Sequence, residues 1–161
     1  MTAQGEAAVE ARALSDEFAL ERYRYILQQI HAVNENVYRF LAIYQTLATT
    51  LVGGALALFV GYRKWGIQPA VAQSGVVGLL SLTSVIAAFT ILLIIVGALS
   101  WIDYRNEECD ITDLMIGAHF RKRPRPGNLL RWYETYIVLF IVVSMAAMWI
   151  LGFFLILPAM N

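Results

Sequence analysis

VVGLLSLTSVIAAFTILLIIVGALSW, running from Val76 to Trp101, contains no Asp, Glu, Lys, Arg or His. A helix needs roughly 20 apolar residues to cross the hydrocarbon core of a bilayer, and this stretch exceeds that length. Two further stretches share the pattern, one from Phe40 to Tyr62 and one from Tyr136 to Leu157. Tyr62 and Trp65, Trp101 and Tyr104, and Trp132 and Tyr133 flank the three runs. Such rings prefer the lipid–water boundary, where one face is apolar and one edge is wet. The reading is therefore an all-α integral membrane protein with three transmembrane helices. Buried helices of a soluble protein would leave too little polar surface.

The composition agrees. Of 161 residues, 59% are hydrophobic and 15% charged, against about 45–50% and about 25% in typical soluble domains. Twelve basic residues balance twelve acidic ones, so net charge selects no partner and the placement of charge matters more. Arg12, Arg22, Arg24 and Arg39 precede the first span. Arg105, Arg121, Lys122, Arg123, Arg125 and Arg131 lie between the second and third. Three crossings put these segments on one side, against only Arg63 and Lys64 on the other. The positive-inside rule then places the N-terminus in the cytoplasm. That start does not read as a cleavable signal, because Glu6, Glu10, Asp16, Glu17 and Glu21 come before any long apolar run.

Upstream of Phe40, apolar residues recur at Ala19, Tyr23, Ile26, Ile30, Val33 and Val37, continuing through Phe40, Tyr44, Leu47 and Leu51. Steps of four and three describe a packing seam with coiled-coil spacing. Ser15 suits an N-cap, with Asp16 and Glu17 in the first turn where acids complement the helix dipole. The expected element is a long cytoplasmic helix continuous with the first span, about 70 Å from Ser15 to Tyr62 at 1.5 Å per residue. Pro69 suits the first turn of the second helix, which is expected to end near Glu108. A short helix is expected over Asp110–Phe120. RKRPRPG (121–127) breaks the chain, and Asn128 would cap a third helix that begins before the bilayer. The organisation expected is thus a flexible 1–14, a cytoplasmic helix over 15–39, spans over 40–62, 76–101 and 136–157, an external loop over 63–75, a cytoplasmic connection over 102–135 and an external tail over 158–161. No internal repeat and no second domain is evident.

Three sets of residues are candidates for function. Tyr23, Ile26, Ile30, Val33 and Val37 form the part of the seam outside the bilayer, which needs a cover: a second copy, the other helices, or a partner. Gly53, Ala57 and Gly61 fall four apart and suit close helix packing. Arg121, Lys122, Arg123 and Arg125 suit anionic headgroups, at about 1 kcal/mol per basic residue near the surface. Asp103, Glu107, Glu108, Asp110 and Asp113, with His119, have the chemistry of a hard-cation site, but pairing with the nearby arginines explains them as well. Hydroxyls within the spans, such as Thr49, Thr83 and Ser144, suit either helix packing or a hydrophilic path. The lone Cys109 excludes an internal disulfide and sits among acids that disfavour a thiolate. No phosphate loop, GxSxG turn or HExxH pair is present, and no cofactor and no nucleic-acid module is implied.

Two function classes follow. One is an oligomerising assembly or effector module of the bacterial inner membrane that forms a pore or docks a cytoplasmic partner. The other is a membrane enzyme or lipid-handling protein acting at the cytoplasmic face. In outline, over residues 15–101, the chain resembles the small membrane effectors of bacterial defence systems of the SLATT type, where a cytoplasmic helix precedes membrane helices. Its third span departs from their usual two.

Overall fold

A computed structural model describes residues 3–117, 120–124, 127 and 132–160, and among them there is helix and no strand. Three helices follow in order: α1 Ala3–Gly61, α2 Pro69–Met115 and α3 Tyr133–Leu151. Each includes a segment long and apolar enough to cross a membrane. A turn of π-helix, Gly152–Ile156, and a 3₁₀ turn, Pro158–Met160, extend α3.

Helix α1 starts well before Ser15, so Ser15 lies within it and not at its cap. The reason is local. Residues 3–14 (AQGEAAVEARAL) are rich in alanine and glutamate, among the best helix formers, and hold no proline. The buried apolar side chains described along α1 and just past its end are Ile26, Val37, Tyr44, Ala55 and Tyr62. They step by eleven, seven, eleven and seven, which is the 3.6-residue period of an α-helix and not a strict heptad. Leu47, a member of the expected seam, has accordingly rotated outward and is exposed.

The α1–α2 turn closes at Gly66, whose φ of 67° is left-handed and therefore suits glycine. The Ile67 amide donates to the Tyr62 carbonyl at 2.9 Å and the Gly66 amide to the Arg63 carbonyl at 3.2 Å. This satisfies carbonyls left over by the helix end. Pro69 opens α2 as expected. That helix continues past Glu108 to Met115, so no separate helix begins near Asp110. The Thr112 hydroxyl donates back to the Glu108 and Cys109 carbonyls, at 2.9 and 3.1 Å, and so acts inside the helix instead of capping a new one. Only at Gly117, with φ of 145°, does the chain turn away. Helix α3 starts at Tyr133 after Trp132, without a side-chain cap. The expected cap Asn128 lies outside the described residues.

The chain divides into two compact units. The first comprises Met1–Asn36 and Gly97–Pro126; the second comprises Val37–Val96 and Gly127–Asn161. The second unit has two apolar clusters. In one, Val37 and Tyr44 of α1 meet Ala87 and Ile94 of α2 and Ile141 of α3. In the other, Ala55 and Tyr62 meet Ala72, Val76 and Leu80, and Met160 is fully buried among them. The C-terminal turn is thus packed, held also by a Gln73 side-chain amide donating to the Leu157 carbonyl at 3.1 Å. Between α2 and α3, the Trp149 indole N–H donates to the Ser84 hydroxyl at 3.0 Å. Gly152 is buried where a Cβ would come within 2.9 Å of Leu80 Cδ1, and the π-turn begins there. Elsewhere the second unit faces outward with apolar side chains, among them Val60, Val85, Phe89, Phe140 and Phe154. An apolar surface of this extent suits lipid and not water.

Candidate functional site

The first unit gathers most of the chain's charged groups. Glu108 is fully buried on α2. Its carboxylate is held by Arg105, one turn earlier, through Oε2. Arg121 Nε lies 3.3 Å from Oε1, an ion pair short of hydrogen-bond geometry. The Arg105 guanidinium also lies over the Trp101 ring, 6.0 Å from its centroid. Two cations thus neutralise one buried carboxylate and tie the segment after α2 back onto the helix. Arg123 pairs with Asp110 at 2.5 Å and reaches Asp113 at 3.8 Å. Arg22 of α1 meets Glu107 through Nε at 2.8 Å.

These pairs account for most of the acidic cluster that the sequence offers as a cation site. Glu107, Glu108, Asp110 and Asp113 all face arginines, and His119 lies outside the described residues. Such a layer does the chemistry of ion pairing: it neutralises charge and fixes chain direction. The exposed pairs are each worth at most about 1 kcal/mol; the buried one is different in kind. The basic cluster is correspondingly engaged. Arg121 and Arg123 meet carboxylates, Lys122 is exposed, and Arg125 lies outside the described residues.

Cys109, next to Glu108, is fully buried. Burial pushes its thiol above the ordinary value; Arg105 and Arg123 pull it down, and Glu108 and Asp113 push it up. The dominant cause is therefore loss of water, and not the neighbouring acids that the sequence points to.

Along α1 of the first unit, Ile26 is fully buried and Tyr23, Ile30 and Val33 are half-buried. Tyr23 joins Ala19 and Leu20 in an apolar cavity of about 400 Å³, completed by Ile111, Met115 and Phe120 from the other segment of the unit. The seam thus finds cover within a single chain. Val37, in the second unit, is buried as well.

The small-residue series does not act as one surface. Gly61 is buried under the Trp65 ring, where a Cβ would come within 2.6 Å. Ala57 is exposed. Gly53 has open space where a Cβ would stand, and lines a groove in the second unit. The Tyr38 and Tyr133 rings stack in that unit, 5.7 Å apart and nearly parallel.

Two features were not singled out from the sequence. One is the burial of Glu108, whose signal is the 3–4 spacing joining Trp101, Arg105, Glu108 and Thr112 on one face. The other is the groove at Gly53, which depends on three helices and has no local signal. No family model, curated protein or solved structure matches the chain.

Proposed function

We propose that the chain is an integral protein of a bacterial cytoplasmic membrane, N-terminus inside, and that it works as a self-associating assembly module and not as an enzyme. The basic asymmetry, with Arg63 and Lys64 alone in the short α1–α2 turn, supports the orientation. A reporter fused after Asn161 should be active only when it reports an extracytoplasmic position, and one inserted at Gly127 only when it reports a cytoplasmic one. Opposite results at both sites overturn the orientation.

The observation that carries self-association is apolar surface left open in the first unit. Phe18 on α1 is 74% exposed and Leu114 on α2 is 85% exposed, with Leu14, Ile116 and Phe120 also uncovered. Leaving such surface in water costs about 25 cal/mol per Å². The charges around the two patches are opposite. Glu10 and Glu17 accompany Leu14 and Phe18 and Lys122 accompanies Ile116 and Phe120, all three without an ion pair among the described residues, whereas Glu21, Arg121 and Arg123 are paired within the chain. An acidic apolar patch and a basic apolar patch on one chain are complementary between two copies.

Cysteines at positions 18 and 116, one in each of two co-expressed copies, should therefore crosslink between chains in membranes. Cys109 can stay, being buried. Monomer only, with all three spans inserted, overturns self-association. On this reading the basic cluster also lies near anionic headgroups, with Lys122 the residue freest to meet them.

A further inference from the structure

The second unit contains a groove of about 570 Å³ between α1, α2 and α3, inside the segments read as membrane spans. Its wall is apolar along most of its length, with Val52, Leu56, Leu151 and Ile156 at one end. Tyr44 and Ser144 lie toward the other end, and Thr49 between. Gly53 leaves the middle open, because nothing stands within 4 Å of where its Cβ would be.

Tyr44 differs from most hydroxyls in the spans. Thr46, Thr50, Thr83, Ser84 and Thr90 each donate to the carbonyl four residues earlier. In lipid this is the usual way to satisfy a serine or threonine. Among the described residues, Tyr44, Thr49 and Ser144 of the groove have no hydrogen-bond partner, as Ser81 and Ser100 outside it have none, while Thr83, which also lines the groove, bonds within its helix; of the unpartnered ones only Tyr44 is buried. Tyr44 is only 5% exposed. Tyr44 lines the groove and its hydroxyl oxygen is not enclosed by protein, so an apolar filling that leaves it nothing to donate to carries a free-energy cost. An occupant with a hydrogen-bond acceptor at the Tyr44 end removes that cost.

We propose that this groove holds one acyl chain of a membrane phospholipid, with the ester carbonyl accepting a hydrogen bond from Tyr44. The dimensions fit. Tyr44 lies about one turn inside Phe40, the edge of the span, near the level of the ester groups. From Tyr44 to Leu56 the groove runs about 18 Å along α1 at 1.5 Å per residue, close to the ~15 Å half-thickness of the hydrocarbon core. A second helix fits less well. The apolar side chains of a helix face offer Tyr44 no acceptor.

The test uses the full chain in phospholipid nanodiscs, with a phospholipid carrying a photoactivatable group at mid-chain. Label is expected on residues 48–56 and 144–151 beyond that on the outward residues Leu92 and Ile95 of α2. In Gly53→Leu the groove label should fall about tenfold, because the leucine takes the space that the acyl chain occupies. The label at Leu92 and Ile95 should stay constant. The new Cβ meets no atom and leucine favours the helix over glycine, so this variant folds. Tyr44→Phe keeps the shape and removes only the donor. Phospholipid retained through detergent purification, read by native mass spectrometry, should drop about fivefold in it, the worth of one hydrogen bond. Three results overturn the proposal: groove and outward label equal in wild type and in Gly53→Leu; retention unchanged in Tyr44→Phe; or efficient crosslinking of two copies through Gly53→Cys, which makes the occupant a second helix.

Discussion

Ile26→Asp should open the first unit while leaving the second intact. Ile26 is fully buried within one chain. Truncating such a residue to alanine costs about 2–5 kcal/mol. Aspartate adds the burial of a carboxylate in place of an apolar side chain, which costs more still. The neighbouring Leu27 is 39% exposed, so Leu27→Asp should cost about 0.5 kcal/mol or less. Amide hydrogen exchange separates the two. In Ile26→Asp, protection over residues 22–35 and 98–113 should fall to near that of an unfolded segment, while protection over 79–94 stays. Equal exchange in the two variants would mean that Ile26 is not buried within one chain, and that its cover comes from elsewhere.

The second large effect belongs to Glu108. Removing one partner of a buried ion pair costs about 3–5 kcal/mol, because the remaining charge keeps its desolvation penalty and loses its compensation. In Glu108→Ala two guanidiniums, Arg105 and Arg121, lose their counter-ion together. Both keep partial access to solvent, so the lower end of that range applies. Protection should decrease first in residues 105–115. Arg121 should also become reactive toward a guanidinium reagent, since its tether to α2 is gone. Glu108→Gln retains the volume and a weaker acceptor, and should fall between alanine and wild type. The exposed pair is the internal comparison: Arg22→Ala breaks only its link to Glu107 and should cost at most about 1 kcal/mol. If Glu108→Ala costs no more than Arg22→Ala, the carboxylate is not buried between its two arginines.

The open apolar patches and the charge layer sit in the same unit, and this bears on how it could assemble. Arg123 faces Asp110 and Asp113 in its own chain, so an approaching copy would have to compete for it. Lys122 has no such tie. An interface built on Phe18, Leu114 and Ile116 would then draw its energy mainly from apolar burial. Charge would set its orientation more than its strength.

Much of this architecture was legible in the chain itself. Uncharged runs longer than a bilayer core, aromatic residues at their edges, and Pro69 at a helix start are local signals, and hydropathy and backbone chemistry act locally. Helix bounds were read less well. Ser15 looked like a cap because capping residues are recognised by type, yet alanine and glutamate upstream let the helix continue. Asp110 looked like a new start, yet Thr112 bonds back into the turn before it. In both cases a residue with two uses took the one that kept the helix intact.

The sequence alone determined that the chain is helical, that three segments suit a membrane, and which face of α1 is apolar. What covers that face was decided by tertiary structure, because a heptad-like pattern specifies the need for a neighbour and not its identity. The same holds for Glu108, whose burial depends on Arg105 one turn away and Arg121 beyond the end of the helix. The groove follows the same logic. Tyr44, Thr49, Gly53 and Ser144 carry no shared motif, and they meet only because three helices come together around the space that Gly53 leaves open.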